Sequence, residues 1–79
     1  MSKDNLLEIE KYVIFQVREE REARNITQEE LSNKLGKNSS YIAHIEAPSK
    51  KAKYNISILN EIAKIFDCSI KDFFPEKPI

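Results

Sequence analysis

The sequence predicts a small, compact all-α domain of five helices. Three observations carry that prediction. Apolar residues recur at helical spacing in two stretches, Leu6, Ile9, Val13 and Val17, then Ile56, Leu59, Ile62, Ala63 and Phe66. Two four-residue runs, Thr27-Gln28-Glu29-Glu30 and Ser69-Ile70-Lys71-Asp72, have the form of capping boxes that open helices. The chain holds one Gly and three Pro, two of them in the last five residues, so its body lacks the punctuation of an all-β fold.

Met1 to Lys3 reads as a loose terminus. Asp4 can cap a first helix running to about Arg24, with Leu6, Ile9, Val13 and Val17 toward the core. Tyr12, Ile14 and Phe15 lie off that stripe. The first half of this helix is therefore too apolar for one buried face, and either sits deep in the core or meets a partner. Its second half, the charge run Arg18 to Arg24, reads as a solvated face with i,i+3 and i,i+4 pairs. Asn25 can end the helix in a left-handed turn.

Thr27 and Glu30 then open a second helix, Gln28 to Leu35, with Leu31 and Leu35 on one face. Gly36 follows directly, where a left-handed residue commonly ends a helix. Asn38 can cap a third helix over 39–46 that carries Ile42 and Ile45 on one face. Pro48 stops it from running far past Glu46, because the residue before a proline disfavours the helical region. Ala47 to Tyr54 is a loop. Asn55 caps a fourth helix, Asp67-Cys68 breaks it, and Ser69 opens a short fifth helix with Phe73 and Phe74 that Pro75 closes. Residues 75–79 form a tail.

At 79 residues the chain is read as one domain, 1–79, with room for one modest core. The single Cys68 allows no intrachain disulfide and gives no metal cluster. It sits between Phe66 and Ile70, so the reading is a core thiol rather than a reactive one. One His and one Cys, no Gly-rich phosphate loop, and acid pairs adjacent on helices (Glu19/Glu20, Glu29/Glu30) argue against an enzyme. No cofactor, metal or small-molecule ligand is indicated. No leader or membrane-length apolar run is seen, which points to a cytoplasmic protein with no membrane partner.

Net charge is zero, yet the charges are segregated. Residues 1–30 carry five Lys/Arg against eight Asp/Glu. Residues 31–55 carry five Lys against the lone Glu46. Residues 56–79 carry three Lys against four acids. Any contact to phosphate has to come from the middle segment.

The segment 28–46, two short helices around a Gly turn, has the helix-turn-helix pattern. With its surroundings it resembles the Cro and phage-repressor family of transcriptional regulators, a lambda-repressor-like fold. The resemblance runs from about Val17 to Phe74. It rests on R-x-x-R-N-I-T-Q-E-E-L-S-x-K-L-G (Arg21 to Gly36), Y-I-A-H-I-E (Tyr41 to Glu46), L-N-E-I-A-K-I-F (Leu59 to Phe66) and C-S-I-K-D-F-F (Cys68 to Phe74). In such a motif the small Ser32 lets the two helices approach, Gly36 makes the turn, and Ile42 and Ile45 lock the third helix onto the core. Three positions depart from the family pattern. Glu20 stands where an apolar residue is usual, so that carboxylate is half exposed or the register there is shifted. Asn25 stands where Gly is common. The loop after Glu46 lacks the usual Gly and is about two residues longer, so the reach of its lysines is open.

The resemblance implies that 39–46 is a recognition helix. Its outward residues Ser39, Ser40, Ala43 and His44 are the implied base readers. Ser can donate or accept, His can donate to guanine, and Ala43 can touch a thymine methyl. Capping and solvation remain the alternative for Ser39 and Ser40. Gln28 matches a position that often faces a phosphate, at a helix start that offers free N–H groups. Asn38 can cap as well as contact phosphate. Lys37, Lys50, Lys51 and Lys53 are the electrostatic candidates, solubility being their alternative, and Tyr41 can touch backbone or base, or pack on the loop.

These readings give the expectation of a sequence-specific regulator of double-stranded DNA, a repressor, acting as a homodimer on a two-fold operator. The dimer expectation rests on Tyr12, Ile14, Phe15 and the Phe73/Phe74 region, and on family habit. The alternative, favoured by zero net charge and the short Ser readers, is a protein-binding helix-turn-helix module, antitoxin-like or an adaptor subunit.

Overall fold

The computed structural model describes residues 6–49 and 51–79. Asp4, the expected first cap, and Lys50 lie outside them. Four α-helices follow in order: α1 Glu8–Ala23, α2 Gln28–Lys34, α3 Tyr41–Glu46 and α4 Ile56–Phe66. The described residues include no strand. No helix among them is long and apolar enough to cross a membrane.

The expected fifth helix is a single 3-10 turn, Ile70–Phe73. Its hydrogen bonds run three residues back, Asp72 N–H to the Ser69 carbonyl at 2.9 Å and Phe74 N–H to that of Lys71 at 3.0 Å. Phe74 is already extended, because it precedes Pro75 and the α region is disfavoured there. The segment between the Ser69 cap and Pro75 is too short to propagate an α-helix.

Local signals otherwise fix most boundaries. At α2 the Thr27 hydroxyl accepts from Glu30 N–H at 3.0 Å, and the Glu30 carboxylate accepts from Thr27 N–H at 2.8 Å. Those bonds to Thr27 lower the Glu30 pKa. The Asn55 side chain accepts from Ile58 N–H at 2.8 Å and opens α4. Asn25 ends α1 at φ 56°, and Asp67 ends α4 at φ 55°. Two starts are later than the sequence suggested. The cap position of α1 is Leu7, whose N–H donates to the Glu10 carboxylate at 2.9 Å. The third helix begins at Tyr41 rather than 39. The Asn38 side chain instead closes a tight turn, accepting from both the N–H and the hydroxyl of Ser40.

The main core gathers Val13 and Val17 from α1, Leu31 from α2, Ile42 from α3, four residues of α4, and Phe73. Phe73 is fully buried and meets Phe66 edge-on, with ring centroids 6.2 Å apart. A second cluster, Leu6, Ile14 and Ile45, ties the start of the chain and α1 to α3. Ile14 and Phe73 are therefore interior to the monomer and cannot supply the dimer contacts expected of them. Ile56 departs from the α4 stripe in the other direction and is 67% exposed. Cys68 is half-buried against the core, and that burial raises its thiol pKa.

Ser32 is the join between α2 and α3. It is fully buried, donates to the Gln28 carbonyl at 2.8 Å, and accepts from Ile42 N–H at 3.0 Å. The small side chain permits close approach, as the sequence suggested, and its oxygen also satisfies a buried amide of α3. Gly36 then turns the chain at φ 70°, with open space around the position a Cβ would take. A Gly36→Ala variant therefore meets no clash and suffers only the backbone penalty. It should lose about 1–2 kcal/mol of unfolding free energy, read by urea titration. A loss near zero would mean that the turn does not require the left-handed geometry.

Candidate nucleic-acid interface

α3 is held from below by Ile42 and Ile45, which are 0% and 2% exposed. That leaves the opposite face free. Ser39, Ser40 and His44 are exposed, and Ala43 is half-buried. The Ser40 hydroxyl donates to Asn38 Oδ1 at 2.7 Å, and the Ser39 hydroxyl reaches Asn33 Oδ1 on α2 at 3.4 Å. Both serines keep acceptor lone pairs for an incoming donor. Lys37, Asn38, Ser40, Tyr41 and His44 line one open depression of about 380 Å³.

Tyr41 is half-buried against both apolar clusters, and its desolvation raises the phenol pKa. The Lys37 ammonium lies 5.4 Å from the centre of its ring. A cation over an aromatic face is partly pre-positioned. Lys37 therefore stands beside Ser40 and His44 with less freedom than an isolated surface lysine. Here the structure brings an expected cation together with expected base-reading residues.

Two of the loop lysines, Lys51 and Lys53, lie among the described residues. Lys51 is exposed. Lys53 is exposed, but its ammonium bonds Glu10 on α1 at 2.7 Å. That bond is the first cause of the lowered Glu10 pKa. A phosphate recruiting Lys53 would have to compete with this carboxylate.

Gln28, at the first position of α2, is half-buried, and its amide nitrogen donates to Glu46 Oε1 at 2.8 Å. The same carboxylate is gripped by Arg21, whose Nε and Nη2 donate to its two oxygens at 3.0 and 2.8 Å. Arg21 Nη1 donates further to the Ile26 carbonyl at 2.8 Å. The Arg21 side chain is 8% exposed and that of Glu46 2%. This buried fork is absent from the sequence reading, which placed Arg21 on a solvated face. A signal was present, since Val13, Val17 and Arg21 follow at steps of four, on one helical face. Glu46, the lone acid of the basic segment, was its natural partner.

The fork fixes how Gln28 is presented. A carboxylate only accepts, so the amide nitrogen must face Glu46, which takes one of its two N–H groups. Glu20, the departure on α1, is half-exposed and pairs with Arg24 at 2.6 Å. Of the two readings of that departure, the half-exposed carboxylate is the one seen. Arg24 in turn lies 4.8 Å from the Phe66 ring centre and donates to the Phe66 carbonyl at the end of α4. The rest of the charge run follows the solvated reading, with Arg18 pairing with Glu22 at 3.1 Å.

Residues 17–73 match the family model described as Helix-turn-helix. Among solved structures, the fold is similar to that of a hypothetical transcription factor, NHTF, from Neisseria. The TM-score is 0.73 at 18% identity, over 86% of this chain and 76% of that one. No curated protein matches the sequence.

Proposed function

This chain belongs to the helix-turn-helix family, in its Cro and phage-repressor type, and from that premise we propose a sequence-specific repressor that sets α3 in the DNA major groove. The observation that carries the reading is the two-sided character of α3. One face is locked by Ile42 and Ile45, and the other presents Ser39, Ser40, Ala43 and His44 beside Lys37. A short helix so held projects its first turns toward base edges, while flanking groups fix its register on the phosphates.

Division of labour follows from chemistry. His44 and the serines read bases by donating to or accepting from groove edges, and Ala43 offers its methyl to thymine. Lys37, Lys51, Asn38, Tyr41 and the remaining N–H of Gln28 serve the backbone, with Lys50 assigned to it from sequence alone. Lys53 contributes less because Glu10 holds it. So few cations give a modest electrostatic share, and two copies on a two-fold operator supply the rest.

Selection of bound sites from random duplex DNA tests this directly. A preferred motif is expected, with affinity falling as salt rises. His44→Ala should then cost about 1–3 kcal/mol at one position of that motif and relax its sequence preference. Lys51→Ala should weaken all sequences alike and reduce the salt slope by about one. Equal affinity for every sequence would defeat the specific-reader assignment. No DNA binding at low salt, with a neighbouring gene product co-purifying, would favour a protein-binding module. A reporter assay on the selected site checks the sign of regulation.

A further inference from the structure

The hydroxyl of Ser40 is fixed more tightly than its exposed position at the start of α3 requires. Asn38 Oδ1 lies 3.0 Å from the Ser40 N–H nitrogen and 2.7 Å from the Ser40 hydroxyl oxygen. The first of these contacts settles the second. A backbone N–H can only donate, so the side-chain atom facing it is the amide oxygen and not the amide nitrogen. That oxygen carries no proton, so the hydroxyl beside it must be the donor. Ser40 has one hydroxyl proton, and it is spent inside the chain. What Ser40 has left for a ligand is two lone pairs.

The backbone holds this arrangement in place. The Asn38 carbonyl accepts from Tyr41 N–H at 3.0 Å, and the Ser40 carbonyl accepts from His44 N–H at 2.9 Å. To donate elsewhere, the Ser40 proton would have to leave Asn38, setting two oxygens 2.7 Å apart with no proton between them. Ser39 is different. Its hydroxyl stands 3.4 Å from Asn33 Oδ1, beyond the ordinary O–H···O range of about 2.5–3.0 Å. Ser39 keeps the choice between donating and accepting.

The four bases differ in what they offer such a group in the major groove. Adenine presents the N6 amino group and cytosine the N4 amino group, both donors. Guanine presents only the acceptors N7 and O6, and thymine the acceptor O4 beside its methyl. An accepting Ser40 matches the amino-bearing edges and meets the others lone pair to lone pair.

We propose that Asn38 is a positioning residue that restricts Ser40 to bases carrying an exocyclic amino group, adenine or cytosine. The inference rests on the reading that α3 lies in the major groove, and it names what one of its readers selects.

Site selection with the full chain, run beside Ser40→Ala, locates the base as the motif position whose preference that variant loses. Adenine or cytosine is expected there. Replacing it by the analogue without the amino group, purine for adenine or 2-pyrimidinone for cytosine, should weaken the wild type about three- to tenfold. The same replacement should leave Ser40→Ala unchanged. Asn38→Ala releases the proton, so guanine and thymine should become acceptable at that position and the preference should fall toward parity. Asn38→Asp keeps an accepting oxygen and should preserve the preference, while its charge weakens every sequence alike. A turn that served the fold alone would lower all affinities together and leave the preference untouched. Guanine or thymine opposite Ser40, an amino group removed without loss, or a preference that Asn38→Ala leaves intact overturns this inference while the reader assignment stands. So does a Ser40→Ala motif identical to that of the wild type. A selection that returns no motif overturns both.

Discussion

Glu46→Ala should destabilise the domain by about 3–5 kcal/mol, the largest single loss expected outside the apolar core. The substitution leaves the Arg21 guanidinium buried with the Ile26 carbonyl as its hydrogen-bond acceptor and, at 3.7 Å, the half-exposed Glu22 carboxylate. It also releases the Gln28 amide. A buried charge that loses its close bidentate partner is costly, because water is excluded and the more distant Glu22 carboxylate replaces only part of the lost interaction. Small domains hold about 5–15 kcal/mol in all, so the variant should be close to half-unfolded at elevated temperature. Urea titration and thermal melting measure the loss. The double variant Arg21→Met, Glu46→Leu is the informative partner. It removes both charges together and should recover most of the stability, since a buried pair adds little beyond an apolar filling. It should not recover affinity for DNA, because Gln28 no longer has the carboxylate that orients it. Full recovery of both properties would mean that the fork is structural only.

Phe73→Ala should cost about 3–5 kcal/mol. The ring is fully buried in the main core and packs edge-on against Phe66. It reaches there from a 3-10 turn, with half-buried Ile70 and the following Phe74 packed against the same core. Truncation opens a cavity between α1 and α4 that a one-turn element cannot collapse to fill. The unfolding midpoint should fall without a change in slope if the transition stays two-state. Phe74→Ala, at a half-buried site, should cost clearly less. A Phe73→Ala loss under about 1 kcal/mol would mean that the turn is dispensable to the core.

Where the cause of a feature lay within a few residues, the sequence showed it. Thr27 with Glu30, Asn55, Asn25, Gly36 and Ser69 each act on their own turn of chain, and each does in the structure what its type suggested. The helical stripes gave the inward faces of α1 and α4 for the same reason. Features that depend on what lies across the core were not legible. Arg21 meets its carboxylate 25 positions away, and a charge run gives no sign that one member turns inward. Ile14 is buried in a cluster with Leu6 and Ile45, against which Tyr41, Ala52 and Tyr54 also pack. Ile56, on the apolar stripe by spacing, stands exposed at the first position of α4. At the candidate interface, the outward residues of α3 were legible once Ile42 and Ile45 fixed its inward face. The engagement of Lys53 by Glu10 and of Gln28 by Glu46 was not, since both partners come from distant segments.

The Ser32 hydroxyl carries a further consequence. Ile42 sits in the first turn of α3, where an amide has no acceptor within its own helix, and its proton rests on an oxygen that belongs to α2. Its exchange with solvent deuterium is therefore governed by the separation of α2 from α3, and not by fraying of α3 itself. One amide thus serves as a native timer for the opening of the helix-turn-helix unit, readable in the free chain and again when that unit is clamped on DNA.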